Sequence, residues 1–483
     1  MPNVLSVDGE VADCTVNERE LRITTLGREQ KETTATLDDV IRIETNAIEL
    51  NASTDQSKST KPKWLCKVHY ITRKKLIWKQ ATLCITGQVL ECQQFVSDLQ
   101  LHFQKVYDQR PKRLLVLVNP TSGGRYGHSN WRKVLPLFEL AHITCDVKVS
   151  EREKHMEEIV TEYDLSTVDG IVVFGGDGSV SEVLNRVLRI TNDKAGLNYN
   201  EMDGPFTANT IPIGTIPSGT GNGMAAGLYG NHDIVTAALH IIKGNTRMLP
   251  LMAEYSSNEL LGYSSAVTAY GLFTDMMYYT DQKRWMGRAR YAIMPLYILL
   301  WKTQRLFNAE ITIRTRQKKQ ADDEEETEVE EKLDGEFTTV GFFPGQVFGL
   351  TTGQMVALIY RQTPRLDFLR MISYQFTQQL PREEDFPTVT IRQPSSLRIK
   401  VNPKDLGDEN CLNYMMHIDG EIHTMKEADV TIKLLSNACK VYSSMYTDTD
   451  SQAHITGDSA NTSASVSPPD KKMATDNEEL KNA

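Results

Sequence analysis

Apolar and polar residues alternate in short runs through residues 1–110, as in "LRITTL", "WLCKVHYIT" and "KLIWKQATLCIT", and the segment closes on the helically spaced "CQQFVSDLQLHFQKVY". This pattern predicts several strands followed by one amphipathic helix. From 111 to 250 the pattern changes. "RLLVLVNP" and "GIVVFGG" are near-continuous apolar runs, "ITCDVKVSE" and "TIPIGTIPSG" are shorter ones, and helical stretches at 131–141, 152–163 and 179–191 lie between them. Buried strands alternating with helices predict an α/β domain with a parallel sheet. From 251, strand-like "LLGYSSAVTAYGLF" leads into a helical run to about 307, and β-like runs from "AEITIRT" to "VTIKLL" follow. These predict a second, mainly antiparallel β domain over 251–445. Within it "RQKKQADDEEETEVEEKLDGE" (316–336), basic then acidic, reads as a disordered loop. The Ser/Thr/Asp-rich 446–483 reads as a disordered tail.

Composition adds limits. A chain of 483 residues is too long for one compact domain. A net charge of -10 argues against a nucleic-acid partner. Seven scattered cysteines, an odd count without zinc-ligand or redox spacing, favour a reducing compartment. The start "MPNVLSVDGE" lacks a secretory signal's basic and apolar parts. The longest apolar stretch, "YAIMPLYILLW", is too short to span a bilayer. The expectation is a cytoplasmic protein.

The chemistry concentrates in three glycine-rich turns. "VVFGGDGSVSEVLN" carries an apolar strand straight into Gly175-Gly176-Asp177-Gly178 and then into a helical pattern. Glycine lets backbone approach a ligand closely, and the helix start offers unpaired N–H groups to a phosphate. Asp177 would stand at the carboxyl end of its strand, where open α/β sheets place their chemistry. The plain alternative is a tight turn with Asp177 as helix cap. "NPTSGG" (119–124) and "PSGTGNGMAAG" (217–227) repeat the layout. The G-x-G-x-x-A at Gly221, Gly223 and Ala226 is weak evidence for a dinucleotide site, and no P-loop sequence is present. Together the three turns predict one phosphate cradle.

Asn119-Pro120, the GGDG turn with Glu182, and Gly219-Thr220-Gly221-Asn222 together resemble the lipid kinase family of diacylglycerol, ceramide and sphingosine kinases. "VSEREKH", "AYGLFTDMMYYTDQKRWMGRARY" and "HIDGE" are similar to sphingosine kinases within it. The resemblance covers about 111–445. It implies a nucleotide-binding α/β domain, a β-rich lipid-binding domain and an active site between them. Asp177 would be the base receiving the lipid hydroxyl proton. Asn119, Pro120, Thr121, Ser150, Glu151, Arg152, Glu153, Lys154, Glu182, Gly219, Thr220 and Gly221 would line the ATP site. Arg284 and Arg290 would bind phosphate, with a turn at Gly287 needed to bring them together. Asp419, Gly420 and Glu421 match a late nucleotide and metal-site motif. Gly175, Gly176, Asp177 and Gly178 would face the substrate headgroup. Asp275 would meet a lipid amine. ATP and Mg²⁺ are the implied cofactors. Residues 1–110 resemble a pleckstrin-homology-like module. In the departures from the sphingosine kinase pattern, Gly175 and Ser218 stand where serine and alanine are usual, and Arg125 stands near a missing lysine.

This resemblance implies phosphorylation of sphingosine and related sphingoid bases to sphingosine 1-phosphate, with reversible peripheral contact to a membrane. A homodimer is left open. The alternatives are a ceramide or diacylglycerol kinase, or a non-catalytic lipid-binding scaffold. NAD kinase also uses a GGDG turn, but the apolar run over 276–307 suits an acyl chain better. Asp275 is the discriminating residue. A buried carboxylate there needs a cation, which sphingosine supplies and uncharged lipids do not. The plain alternative is that Asp275 caps the helix beginning at Met276.

Overall fold

The computed structural model describes residues 3–443 except 27–29, 49–62, 126, 302–304, 319–325, 345–353, 377–381 and 403–410. The tail at 446–483 lies wholly outside the described residues. Alternation in the first segment produces seven antiparallel strands: β1 (Asn3–Val7), β2 (Glu10–Val16), β3 (Glu20–Thr25), β4 (Glu32–Thr36), β5 (Val40–Ile48), β6 (Lys63–Lys74) and β7 (Ile77–Gln88). They form one sheet in the order β4-β3-β2-β1-β7-β6-β5. Helix α1 (Val89–Tyr107) covers it with Phe95, Leu99 and Phe103.

The apolar runs of the next segment become β8 (Arg113–Val118), β9 (Thr144–Val149), β10 (Gly170–Gly175) and β11 (Ile213–Pro217). All four are parallel, in register through pairs such as Val116↔Val172 and Val172↔Gly214. The helices of this segment are α2 (Ser122–Arg125), α3 (Gly127–Leu140), α4 (His155–Glu162), α5 (Asp177–Lys194), α6 (Gly223–Tyr229) and α7 (Ile234–Lys243). Leu114–Val118 and Ile171–Phe174 are entirely buried, as strands covered on both faces should be.

The remaining elements are β12 (Thr246–Ser256), β13 (Glu259–Ser264), β14 (Thr268–Gly271), α8 (Leu272–Asp281), α9 (Arg290–Trp301), β15 (Phe307–Lys318), β16 (Glu326–Phe337), β17 (Thr339–Pro344), β18 (Met355–Tyr360), α10 (Arg365–Phe376), β19 (Val389–Arg392), β20 (Ser396–Val401), β21 (Met415–Ile418), β22 (Glu421–Thr424) and β23 (Asp429–Tyr442). The antiparallel part is not a separate layer throughout. The last strand, β23, pairs with β11 in parallel and with β12 and β20 antiparallel. One large sheet therefore runs β16-β15-β20-β23-β11-β10-β8-β9, with β12 and β13 branching from β23. A second sheet is ordered β19-β18-β17-β14-β21-β22. The expected boundary at 250 falls inside β12.

The expected disordered loop at 316–336 is instead mostly hairpin: β15 and β16 pair from Phe307↔Phe337 to Lys318↔Glu326. Composition misled because the charges face each other. Arg316 stands opposite Glu328, while Arg314 pairs with Glu330 at 3.2 Å. Cross-strand pairs of opposite sign support a ladder, and Ile311 and Ile313 bury its other face.

The β6–β7 hairpin of the N-terminal sheet packs on α7. Trp78 stacks on His240 with ring centroids 3.7 Å apart, and its backbone N–H donates to Thr236 Oγ1. Buried Lys243 pairs with Asp39 at 2.9 Å and also with Asp38. Among the described residues no helix is long and apolar enough to cross a membrane.

Candidate active site

The three glycine turns meet at the carboxyl ends of β8, β10 and β11, and they meet as bare backbone. A Cβ on Gly219 would lie 2.2 Å from Gly176 Cα, and one on Gly176 would lie 3.0 Å from Gly219 Cα. The glycines are needed first for this loop-on-loop contact, and only then for any ligand. Polar side chains fix the contact: Asn119 Nδ2 donates to Ser179 Oγ at 2.9 Å, and Asn130 Nδ2 donates to Ser218 Oγ at 3.1 Å. Asn222 ties its own turn, exchanging hydrogen bonds with the Gly219 backbone at 3.0 Å.

Asp177 is the first residue of α5, but its side chain caps another helix. Its carboxylate accepts the Gly223 and Met224 amides of α6 at 2.9 and 3.0 Å. The anion is thereby fixed in the positive field of a helix start, half-buried and facing the cleft. Glu182, one helical turn on, accepts the Glu157 amide at 3.0 Å and so holds α4 and the 150–154 turn. Burial pushes its pKa up, and nearby Glu421 adds to the rise.

Asp419 is held from the opposite wall. Its two oxygens accept the backbone amides of Ser265, Ala266 and Val267 at 2.7–2.9 Å and the Ser265 hydroxyl at 3.1 Å. The buried His417 Nε2 accepts the Gly420 amide at 3.0 Å. Burial raises the Asp419 pKa to about 6; the three amides pull it down and the Asp177 charge adds to the rise. Protonation near pH 6 weakens an acceptor that four donors depend on. An acid limb in kcat/KM is therefore expected near pH 6, against an ordinary carboxylate value of 3.8. The folded chain takes this proton more readily than the unfolded chain. This group thus favours the fold as pH falls from 6 to 3.8, and activity should fall before the thermal melt does. A pH–rate profile run beside melts checks this, and the limb should be lost in Asp419→Asn.

The cleft between these walls measures about 1110 Å³. Its lining includes Asn119, Thr121, Ser150, Glu151, Arg152, Glu153, Lys154, Gly176, Asp177, Gly178, Glu182, Gly219, Thr220, Gly221, Arg290, Asp419, Gly420 and Glu421. Pro120 and Gly175 are not in the lining; Gly175 ends the buried strand β10. The expected turn at Gly287 is present, at φ 57°. The side chains of Arg284 and Arg125 lie outside the described residues.

Asp275 departs from expectation. It sits inside α8, is buried, and does not line the cleft. Arg305 grips it with two hydrogen bonds of 2.9 and 2.7 Å and also bonds Asn413, whose carbonyl accepts the Tyr270 hydroxyl. The cation that a buried carboxylate requires comes from the chain itself. The sequence concealed this because Arg305 lies thirty residues downstream.

Several lining residues escaped the sequence reading. Ser179 directly follows the GGDG turn, and His417 belongs to "HIDGE", so both were within reach. Met277 and Asp281 lie within the quoted "AYGLFTDMMYYTDQKRWMGRARY" but were not singled out, and Ala266 and Val267 carry no comparable sequence signal. Among the described residues no three His, Cys, Asp or Glu side chains converge as a ready-made metal cage. Mg²⁺ does not require one, because one or two carboxylates plus substrate phosphates commonly suffice. Asp177 and Glu421, on facing walls of the cleft, are suitable hard oxygen donors.

Fold and site define an α/β protein whose cleft lies at the carboxyl ends of parallel strands, closed by an antiparallel partner. Residues 113–253 match the diacylglycerol kinase catalytic domain. Human ceramide kinase is 35% identical over 215 residues, 44% of this chain and 40% of that protein. Sphingosine kinase 1 of Arabidopsis thaliana is 36% identical over 192 residues, 39% of this chain and 37% of that protein. A crystal structure from Bacillus anthracis, assigned as a diacylglycerol kinase, shares the fold with a TM-score of 0.50 and 18% identity, covering 69% of this chain and 96% of that one. The matches thus span less than half the length of these two curated relatives. Residues 113–253 thus carry a diacylglycerol kinase catalytic domain, and over that region the chain is similar to ceramide and sphingosine kinases.

Proposed function

We propose that this protein transfers the γ-phosphoryl group of ATP to the primary hydroxyl of a sphingolipid whose nitrogen is acylated, a ceramide-type acceptor. The observation that carries the choice of lipid is the Asp275–Arg305 pair. With its carboxylate neutralised and out of the cleft, Asp275 has no charge to offer an ammonium group. Relatives named for ceramide and for sphingosine support a sphingoid backbone over a glycerol one.

Phosphoryl transfer requires positioning and charge neutralisation. The glycine-turn amides and Arg290 supply positive groups around the phosphates, and Asp177 takes the hydroxyl proton. Mg²⁺, when bound with ATP, neutralises phosphate charge. A free sphingoid base is the second reading, favoured by one feature. Asp281 lines the cleft half-exposed, 3.9 Å from Arg290, and could meet an amine.

The protein is further proposed to reach its substrate by peripheral membrane contact. Trp285, Ile293, Leu296, Tyr297 and Trp301 are exposed on and before α9, beside the cleft residue Arg290. Large apolar side chains grouped in this way suit a lipid surface.

A panel of ceramide, sphingosine, diacylglycerol and NAD with labelled ATP tests the assignment. Ceramide should exceed sphingosine by roughly tenfold or more in kcat/KM. A preference for sphingosine would return the choice to the second reading, and NAD phosphorylation without lipid phosphorylation would overturn both.

A further inference from the structure

Glu254 on β12 is completely buried, one layer behind the turn that grips Asp419. Its Oε1 lies 2.7 Å from Ser264 Oγ and 2.7 Å from Thr268 Oγ1, and these two hydroxyls are themselves 2.7 Å apart. Its Oε2 is buried without a hydrogen bond from any other residue.

Three oxygens in mutual contact need three protons if each contact is to be a hydrogen bond. The serine and threonine hydroxyls bring two, so the third must come from the carboxyl. A carboxylate would leave one contact as lone pair against lone pair, and would bury a charge with one oxygen unsolvated. Burial likewise holds the group's pKa well above the ordinary carboxyl value, and the Asp419 charge adds to the rise.

Ser264 and Thr268 bracket the segment whose three amides hold Asp419. We propose that Glu254, as an uncharged acid, is a positioning residue that locks the 264–268 turn through this three-oxygen ring and thereby sets Asp419 and Glu421 opposite Asp177. The functional half of this inference rests on the lipid kinase reading, whereas the protonation half does not.

The test uses the full chain with Glu254→Gln and Glu254→Leu. Gln keeps the group neutral and can turn its NH₂ into the ring, supplying the proton that the carboxyl gave; Leu removes the ring's third member while filling similar space. Infrared difference spectra at neutral pH should show the carbonyl stretch of an un-ionised carboxyl in the wild type that is absent from the Gln variant. With ceramide and ATP, the Gln variant should keep kcat within about threefold. The Leu variant leaves one buried ring hydroxyl without an acceptor and should melt a few degrees lower while staying folded, lose kcat by roughly tenfold or more, and keep the KM for ATP within about twofold, as expected when transition-state alignment is lost. Absence of the carboxyl band overturns the protonation. A Gln variant as impaired as Leu, or a Leu variant at full kcat, overturns the positioning role. A wild type inactive on every lipid defeats the kinase reading instead, and leaves the infrared result to stand alone.

Discussion

Asp177→Asn should lower turnover by roughly 10²–10⁴-fold, the range expected for losing a general base, while ATP still binds. The side chain has two tasks. It faces the cleft beside Gly178, and it accepts two amides from the start of α6. Asparagine keeps one acceptor oxygen and turns an NH₂ group toward the other amide. The variant should therefore lose at most about 1 kcal/mol of stability, because asparagine also caps helices and the exposed Gly223 amide can turn to water. These consequences separate experimentally. A cap-only residue predicts a lower melting temperature with near-normal turnover in the folded fraction, and that result would remove Asp177 from the chemistry. A proton acceptor predicts that turnover collapses even where the variant is fully folded and saturated with ATP.

Gly219→Ala should be nearly as damaging, for a steric reason. The new methyl would lie 2.2 Å from Gly176 Cα and 2.7 Å from Gly176 N, both backbone atoms. Neither turn can yield by rotating a side chain, so the two loops must separate. A displacement of about 1 Å in a reacting geometry can cost on the order of 10²-fold in rate, and at least that loss of kcat is expected. Gly227→Ala is the control. It lies in α6 with nothing within 4 Å of its added methyl, so it should remain close to wild type. Steady-state kinetics on both variants, with melts, decide the matter. Gly219→Ala at wild-type kcat would show that the turns do not need their backbone contact.

The sequence reading succeeded where order along the chain is enough. The continuous apolar runs at 113–118 and 170–175 could only be strands covered on both faces, and they are central in the parallel sheet. The turns after them were legible as a site because three glycine-rich breaks at strand ends rarely coincide without a shared purpose. Pairing across long separations was not legible. Nothing local indicates that β23, some 225 residues after β11, inserts beside it. Charge composition around 316–336 reads as disorder until Arg316 is set opposite Glu328. Asp275 looked like a charge awaiting a ligand because its partner, Arg305, comes from beyond the next helix. Glu254, inside "PLMAEYSS", carries no local sign of burial; only the fold shows that it is completely enclosed.

The central claim is that this cleft moves phosphate from ATP to a lipid hydroxyl. Phosphorus NMR of the lipid fraction, after incubation with ATP, Mg²⁺ and ceramide in mixed micelles, tests it most directly. The account predicts a new phosphomonoester on the primary hydroxyl, formed in step with ADP and nearly absent with Asp177→Asn. ADP appearing with only inorganic phosphate, or lipid phosphate forming equally with Asp177→Asn, would contradict it.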